Sequence, residues 1–271
     1  MIWACQQILD RVLSLGTKSG VNVVAFSGGV DSSLAAHFVN EVFPENAVAC
    51  IAISPSLPSI QLSSARSVAN HIGISLLEIE THEGDVIDYI ANEGQSCYFC
   101  KTELYSTLKS IYRHLNNGSP AVDTVLFNGT NADDLLDPTR VGLRAAAEFR
   151  VASPLDSLSK EDVRSLAHHV GLPNWNAAAT PCLRSRLQFG VQATEENLRR
   201  IERAEEYIRS SLGLTAEHNL RVRHLSGDIA RIEVDPQFIA GITDNLSSLK
   251  QTFRELGFDE IRVQSFRRNR T

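Results

Sequence analysis

The segment Ser27-Gly-Gly-Val-Asp-Ser-Ser33 combines residue types suited to holding phosphate. A glycine pair lets backbone approach a ligand closely, and a helix beginning just after it offers free amides and a positive dipole end. The hydroxyls of Ser27 and Ser32 add donors, and Asp31 could hold Mg²⁺ on released phosphates. No lysine follows, so this is not the GxxxxGK[ST] loop, and it is not GxGxxG either. A plain tight turn with Asp31 as a helix cap explains Gly28 and Gly29 alone. It does not explain a strand, this loop and a helix in series.

Sulfur chemistry is the second possibility. Cys97-Tyr-Phe-Cys100-Lys101 is a CxxC motif, and Pro181-Cys182-Leu-Arg-Ser-Arg186 brings another thiol much later. A CxxC fits a redox pair, half a zinc site or two core thiols. No second CxxC and no HxxxH spells out a four-ligand zinc site. Three thiolates could instead hold a [4Fe–4S] cluster with one iron open to an outside ligand. Cys5 and Cys50 fall in a helix and a buried strand, where a free cysteine packs as a small hydrophobe. Arg221 and Arg223 alternate with Leu220, Val222 and Leu225, which puts both guanidiniums on one strand face. Such a face is simply solvated charge unless an anion docks there.

The elements that must position these residues follow from periodicity. Val21–Phe26, Ala47–Ile53, Ser75–Glu80 and Thr124–Phe127 read as buried strands, with helices expected over Ser32–Val42 and Leu57–His71. This alternation predicts an α/β fold with a doubly wound, mostly parallel sheet that binds ligands at the C-terminal strand ends. After Pro173 the pattern changes to an aperiodic loop. An amphipathic helix to Leu212 follows, which Thr194 can cap, then a hairpin of Leu220–Leu225 and Ile229–Val234, and a last strand over Glu260–Phe266. The expected division is residues 1–172, a cysteine-bearing loop at 173–193, and a small α+β domain at 194–271.

Composition bounds the function classes. The 271 residues carry 26 Lys+Arg against 32 Asp+Glu, a formal charge of −6, which argues against broad nucleic-acid binding. No run of ~18 apolar residues occurs, so no membrane span is expected. Neither a signal peptide nor a disulfide framework is expected from the opening residues and the five cysteines, which points to a cytoplasmic protein with reduced thiols.

The loop resembles the PP-loop of the N-type ATP pyrophosphatases, with their adenine nucleotide alpha hydrolase-like fold. That likeness implies that Ser27, Gly28, Gly29, Asp31 and Ser32 cradle pyrophosphate. With CYFCK, Asn128-Gly-Thr-Asn-Ala-Asp-Asp134, Ser153-Pro-Leu155, PCLRSR and RVR…ARIEV in order, the chain resembles the LarE family over roughly residues 5–235. These are ATP-dependent sulfur transferases that make the pyridinium thiocarboxylate of the nickel-pincer nucleotide. The resemblance implies ATP and Mg²⁺, a pyridinium mononucleotide substrate, a sulfide or other sulfur donor, and a homo-oligomer.

It also implies roles for single residues. Members with only the cysteine matching Cys182 sacrifice its sulfur, whereas members with all three, as here at Cys97, Cys100 and Cys182, carry a [4Fe–4S] cluster. Cluster-dependent transfer is therefore expected. Ser185, Arg186, Arg221 and Arg223 match a substrate-phosphate site, Asp133 the ATP site, and Glu205 and Glu233 a divalent-metal site. A tRNA thiolase is the rival reading, and it usually carries basic modules that this chain lacks. The chain departs from the family at Arg140-Val-Gly142, where Arg-Pro-Gly is expected, and in longer connections near Ser119-Pro120 and over Thr215–Asn219.

Overall fold

Strand and helix alternate through the first half of the chain, because short apolar runs are each followed by apolar residues at helical spacing. The computed structural model describes residues 2–115 and 123–267, so the connection near Ser119-Pro120 lies outside the described residues. In chain order the elements begin with α1 (Ile2–Leu15), β1 (Val21–Ala25), α2 (Val30–Val42), β2 (Ala47–Ile53), α3 (Ser59–Ile72) and β3 (Ser75–Glu80). Next come α4 (Ile87–Ala91), α5 (Ser96–Leu115), β4 (Thr124–Phe127), α6 (Ala132–Leu136), α7 (Gly142–Glu148) and α8 (Lys160–His169). The remainder is α9 (Glu195–Leu212), β5 (Leu220–Leu225), β6 (Ile229–Val234), α10 (Ile239–Asp244), α11 (Leu246–Glu255) and β7 (Glu260–Ser265).

The first sheet has the order β3-β2-β1-β4 with every pair parallel; Val24 lies opposite Ala49 on one side and Phe127 on the other. Winding therefore reverses between β1 and β4, and the crevice at their C-terminal ends is where such sheets take ligands. The expected α/β class and strand set hold. Helix α2 begins at Val30, before the expected Ser32, because Gly29 already takes the extended N-cap conformation. Helix α3 begins at Ser59, after the expected Leu57, since the residue before Pro58 is disfavoured in helical conformation.

One face of this sheet buries Val23, Cys50 and Leu126 against Leu104, Tyr105 and Leu108 of α5. That packing fixes α5, whose first turns carry the CxxC motif. Cys50 is fully buried, and burial pushes its thiol up to about 12, so it is an inert core residue as expected. Cys5 is only half-buried on α1, so the core packing expected for it is incomplete.

The chain folds as two compact units, one of Met1–Ser54, Ser59–Glu83 and Cys97–Ala177, the other of Pro55–Pro58, Gly84–Ser96 and Ala178–Thr271. Two early segments thus belong to the second unit, and the change of unit falls inside the 173–193 loop. In the second unit β5 and β6 form the expected hairpin, and β7 adds in parallel to β6. Its core joins Ala204 and Ile208 of α9 to Val222, Ile232, Val234, Ile242, Phe253 and Phe258. Thr194 caps α9 by accepting from the Asn197 amide, and Gly213 ends it in the left-handed conformation. Among the described residues no helix is long and apolar enough to cross a membrane.

Candidate active site

The glycine loop leaves β1 and turns sharply into α2. Gly28 has φ +72, and a Cβ there would stand 2.8 Å from the Cα of Ala65, so conformation and space both demand glycine. Ser32 closes the loop from inside. Its hydroxyl donates to the Gly29 carbonyl at 3.0 Å, accepts from the Ser27 amide at 3.2 Å and meets Ser27 Oγ at 3.1 Å. No side chain caps α2. Its first-turn amides and dipole are therefore available to an anion. Gly129, beyond β4, lies against this turn so closely that a Cβ would stand 2.5 Å from the Asp31 carbonyl carbon.

A cavity of about 290 Å³ opens at this place, between the ends of β1 and β4. Ser27, Gly29, Asp31 and Ser32 line it together with Lys101, Asp134, Arg140 and, from the CxxC motif, Cys97. Tyr105, Leu143 and Ala146 supply apolar wall. Asp31 accepts from Asn131 Nδ2 at 3.0 Å and faces Lys160 Nζ at 3.3 Å. Asp134 pairs with Arg140 at 2.6 Å. Burial raises the Asp134 pKa above the usual range, although Arg140 and Lys160 oppose the shift. Asp133, the residue expected at ATP, instead accepts from the Lys160 amide at 2.7 Å, and it is its neighbour Asp134 that faces the cavity. Lys160 escaped sequence reading, because no local pattern joins it to a carboxylate so far back in the chain.

The structure brings Cys97 and Cys100 together on the first turns of α5. Their i,i+3 spacing puts both thiols on one face of that helix start. Cys97 is exposed and Cys100 half-buried, with Sγ 4.0 Å from the buried carboxylate of Glu83. A pair so placed fits two ligand positions of an iron–sulfur cluster. Cys182 belongs to the other unit. Among the described residues, no three His, Cys, Asp or Glu side chains form a group that could hold a metal ion.

Cys182 opens a 3-10 turn over Leu183–Arg186. Arg186 is 1% exposed, and its guanidinium donates to the carbonyls of Pro181 and Cys182 and pairs with Glu205 at 3.0 Å. Ser185 Oγ donates to the Cys182 carbonyl at 2.8 Å, and Arg223 donates to the Ser185 carbonyl at 3.1 Å and to Glu233 at 2.8 Å. Three of the residues expected at a substrate phosphate thus grip the cysteine turn itself. Arg221 differs from them: its guanidinium lies over Phe266, its Nε has no hydrogen-bond partner among the described residues, and burial with Arg186 and Arg223 lowers its pKa. Four guanidiniums, those of Arg186, Arg221, Arg223 and Arg231, against two carboxylates leave this cluster positive. Glu205 also accepts from the Val222 amide, and Glu233 also meets Arg231 at 3.2 Å and Gln264 at 3.1 Å. Both carboxylates are occupied by guanidiniums, so the pair does not fit the divalent cation expected there. A metal would have to displace them.

The NAD synthase family profile matches residues 2–98. A pyridinium-3,5-bisthiocarboxylic acid mononucleotide synthase of Lactiplantibacillus plantarum is 34% identical over 87% of this chain and 82% of its own length. An uncharacterised protein of Synechocystis sp. is 40% identical over 87% and 85%. A tRNA(Ile)-lysidine synthase of Vibrio parahaemolyticus is 25% identical over 55% of this chain but only 36% of its own.

Proposed function

The chain belongs to the LarE family of pyridinium-3,5-bisthiocarboxylic acid mononucleotide synthases, and from that premise we propose that it is an ATP-dependent sulfur transferase. Its substrate is a pyridinium dicarboxylate mononucleotide, one carboxylate of which becomes a thiocarboxylate. The observation that carries this reading is the shared cavity, whose lining joins an uncapped helix start, Lys101 and Arg140 to Cys97 of the CxxC motif.

A carboxylate oxygen of the substrate attacks the α-phosphorus of ATP, and pyrophosphate leaves into the loop of Ser27, Gly28, Gly29 and Ser32. Helix amides and the two cations carry its charge, and Mg²⁺ would be held by Asp31 once it displaces Lys160 from that carboxylate, as Asp134 is already taken by Arg140. A sulfur nucleophile then adds to the acyl carbon and AMP departs, leaving the C–S bond. Activation as the adenylate is needed because a carboxylate oxygen is a poor leaving group. Cys97 and Cys100 are the proposed ligands of a [4Fe–4S] cluster, which when bound would supply the transferable sulfide; the third ligand that the resemblance implies, Cys182, belongs to the other unit. Arg221, with Ser185 and Arg223 beside it, is the anion receptor for the substrate's own phosphate. The charge of −6 weighs against a tRNA substrate. The same reading carries a cytoplasmic, homo-oligomeric enzyme.

The test is incubation with ATP and the dicarboxylate mononucleotide after anaerobic purification. AMP and pyrophosphate release, with exchange of one oxygen for sulfur in the product mass, is expected. Iron and acid-labile sulfide should be present in wild type and lost in Cys97→Ala. Release without sulfur gain under any donor overturns the transferase reading. Absence of iron, with Cys182 losing H₂S per turnover, replaces the cluster by a sacrificial cysteine.

A further inference from the structure

Two consecutive carbonyls of the glycine loop are held from outside by side-chain amides. Gln61 Nε2, on α3, donates to the Ser27 carbonyl at 2.9 Å. Asn174 Nδ2, beyond α8, donates to the Gly28 carbonyl at 2.8 Å and to Ser33 Oγ at 3.0 Å. A carbonyl can only accept, so the nitrogen of each amide must face the loop. The amide oxygens, Gln61 Oε1 and Asn174 Oδ1, are buried and have no hydrogen-bond partner among the described residues. Burying an acceptor in that state is costly, and an apolar side chain of the same size would avoid it. The donors must therefore matter more than the orphaned oxygens.

Peptide geometry shows what they do. In a trans peptide the C=O and the next N–H point in opposite directions. Fixing the Ser27 carbonyl outward turns the Gly28 N–H inward, and fixing the Gly28 carbonyl does the same for Gly29. Without these pins, peptides flanking a glycine at φ +72 can flip at little cost, presenting oxygen to an anion. Within the loop, the Gly29 amide meets only Ser27 Oγ, at 3.4 Å.

We propose that Gln61 and Asn174 are positioning residues for the pyrophosphate group, locking the loop amides toward it before any ligand arrives; this rests on the reading of the loop as the pyrophosphate site. Magnesium pyrophosphate and AMP are titrated separately by calorimetry into wild type, Asn174→Leu and Gln61→Met. Pyrophosphate affinity is expected to fall about tenfold in each variant, with AMP affinity unchanged, since AMP makes no use of the locked amides. The half-exposed Gln61 site keeps the test open if Asn174→Leu folds poorly. Wild-type affinity retained in both variants overturns the assignment while leaving the functional reading standing. Equal loss of both ligands overturns it in favour of a general structural role. A wild type that binds no pyrophosphate overturns the functional reading, and the assignment with it.

Discussion

Arg186 holds the cysteine turn by charge from within the protein. Its partner Glu205 is only 6% exposed, so Arg186→Ala leaves a buried carboxylate without its cation. A loss of about 3–5 kcal/mol is expected, read from urea denaturation. Arg186→Met with Glu205→Met should recover much of that stability and still fail in sulfur transfer, because the carbonyls of Pro181 and Cys182 lose their donor. Recovery of transfer as well would mean that the turn needs no such brace. Asp134 makes the opposite trade. Its raised pKa means the folded state holds the proton more tightly than the unfolded one, so the charged form costs stability at neutral pH and that cost fades on acidification. Asp134→Asn should therefore raise the melting temperature most near pH 7, with the gain vanishing through the carboxylate range, while ATP-dependent pyrophosphate release falls. Arg186 depends on a partner in another element, Glu205, whereas Asp134 pairs with the nearby Arg140. Cys182 and Asp31 could be picked out of short motifs, but Lys160, Gln61 and Asn174 reach the loop from remote segments, and nothing in their immediate neighbours marks them.

At the scale of elements, the start of helix α2 is held by its contact with Gly129, just beyond β4. Gly129→Ala would push a methyl against the Asp31 carbonyl, which is backbone and has no rotamer to escape into. ATP–pyrophosphate exchange should collapse, although residue 129 offers no side chain to a ligand. Thr194→Ala is the contrasting case: it removes the cap of α9 and should cost about 1 kcal/mol with little effect on exchange. A collapse of exchange in Thr194→Ala, or its survival in Gly129→Ala, would show that this division of labour is mistaken. Strands were legible because apolar runs such as Val21–Ala25 stop at turn residues, and α9 because one face is apolar and its cap is a threonine. Helix starts at Val30 and Ser59 were displaced from expectation because Gly29 and Pro58 act through backbone conformation, which periodicity does not record. Helix α5 shows a further limit: its cysteines gave chemistry, but their place on a helix wall depends on Leu104, Tyr105 and Leu108 packing on a sheet formed elsewhere in the chain.

For the whole molecule, the change from parallel-strand pattern to hairpin pattern made a second unit foreseeable, since each pattern needs its own core. Its membership was not foreseeable, because Pro55–Pro58 and Gly84–Ser96 join it by backbone pairing rather than composition. Leu183 donates to the Ser56 carbonyl at 2.8 Å, Ala193 to the Ile90 carbonyl at 2.8 Å, and Asn92 Nδ2 to Gln188 and Val191 at 2.9 Å. The early stretch at Ser56 thus holds the cysteine turn and the one at Ile90 and Asn92 holds the segment after it, whereas the core from Ala204 to Phe258 lies wholly within one stretch. A fragment of residues 194–271 should accordingly unfold cooperatively on its own, followed by circular dichroism. A fragment of 178–271 should show the same transition yet leave the cysteine turn unprotected, so that trypsin cuts after Arg184 at a rate far above that in the full chain. Equal protection at Arg184 in both would mean that Arg186 and Glu205 suffice to build the turn, and that the early segments merely rest against it.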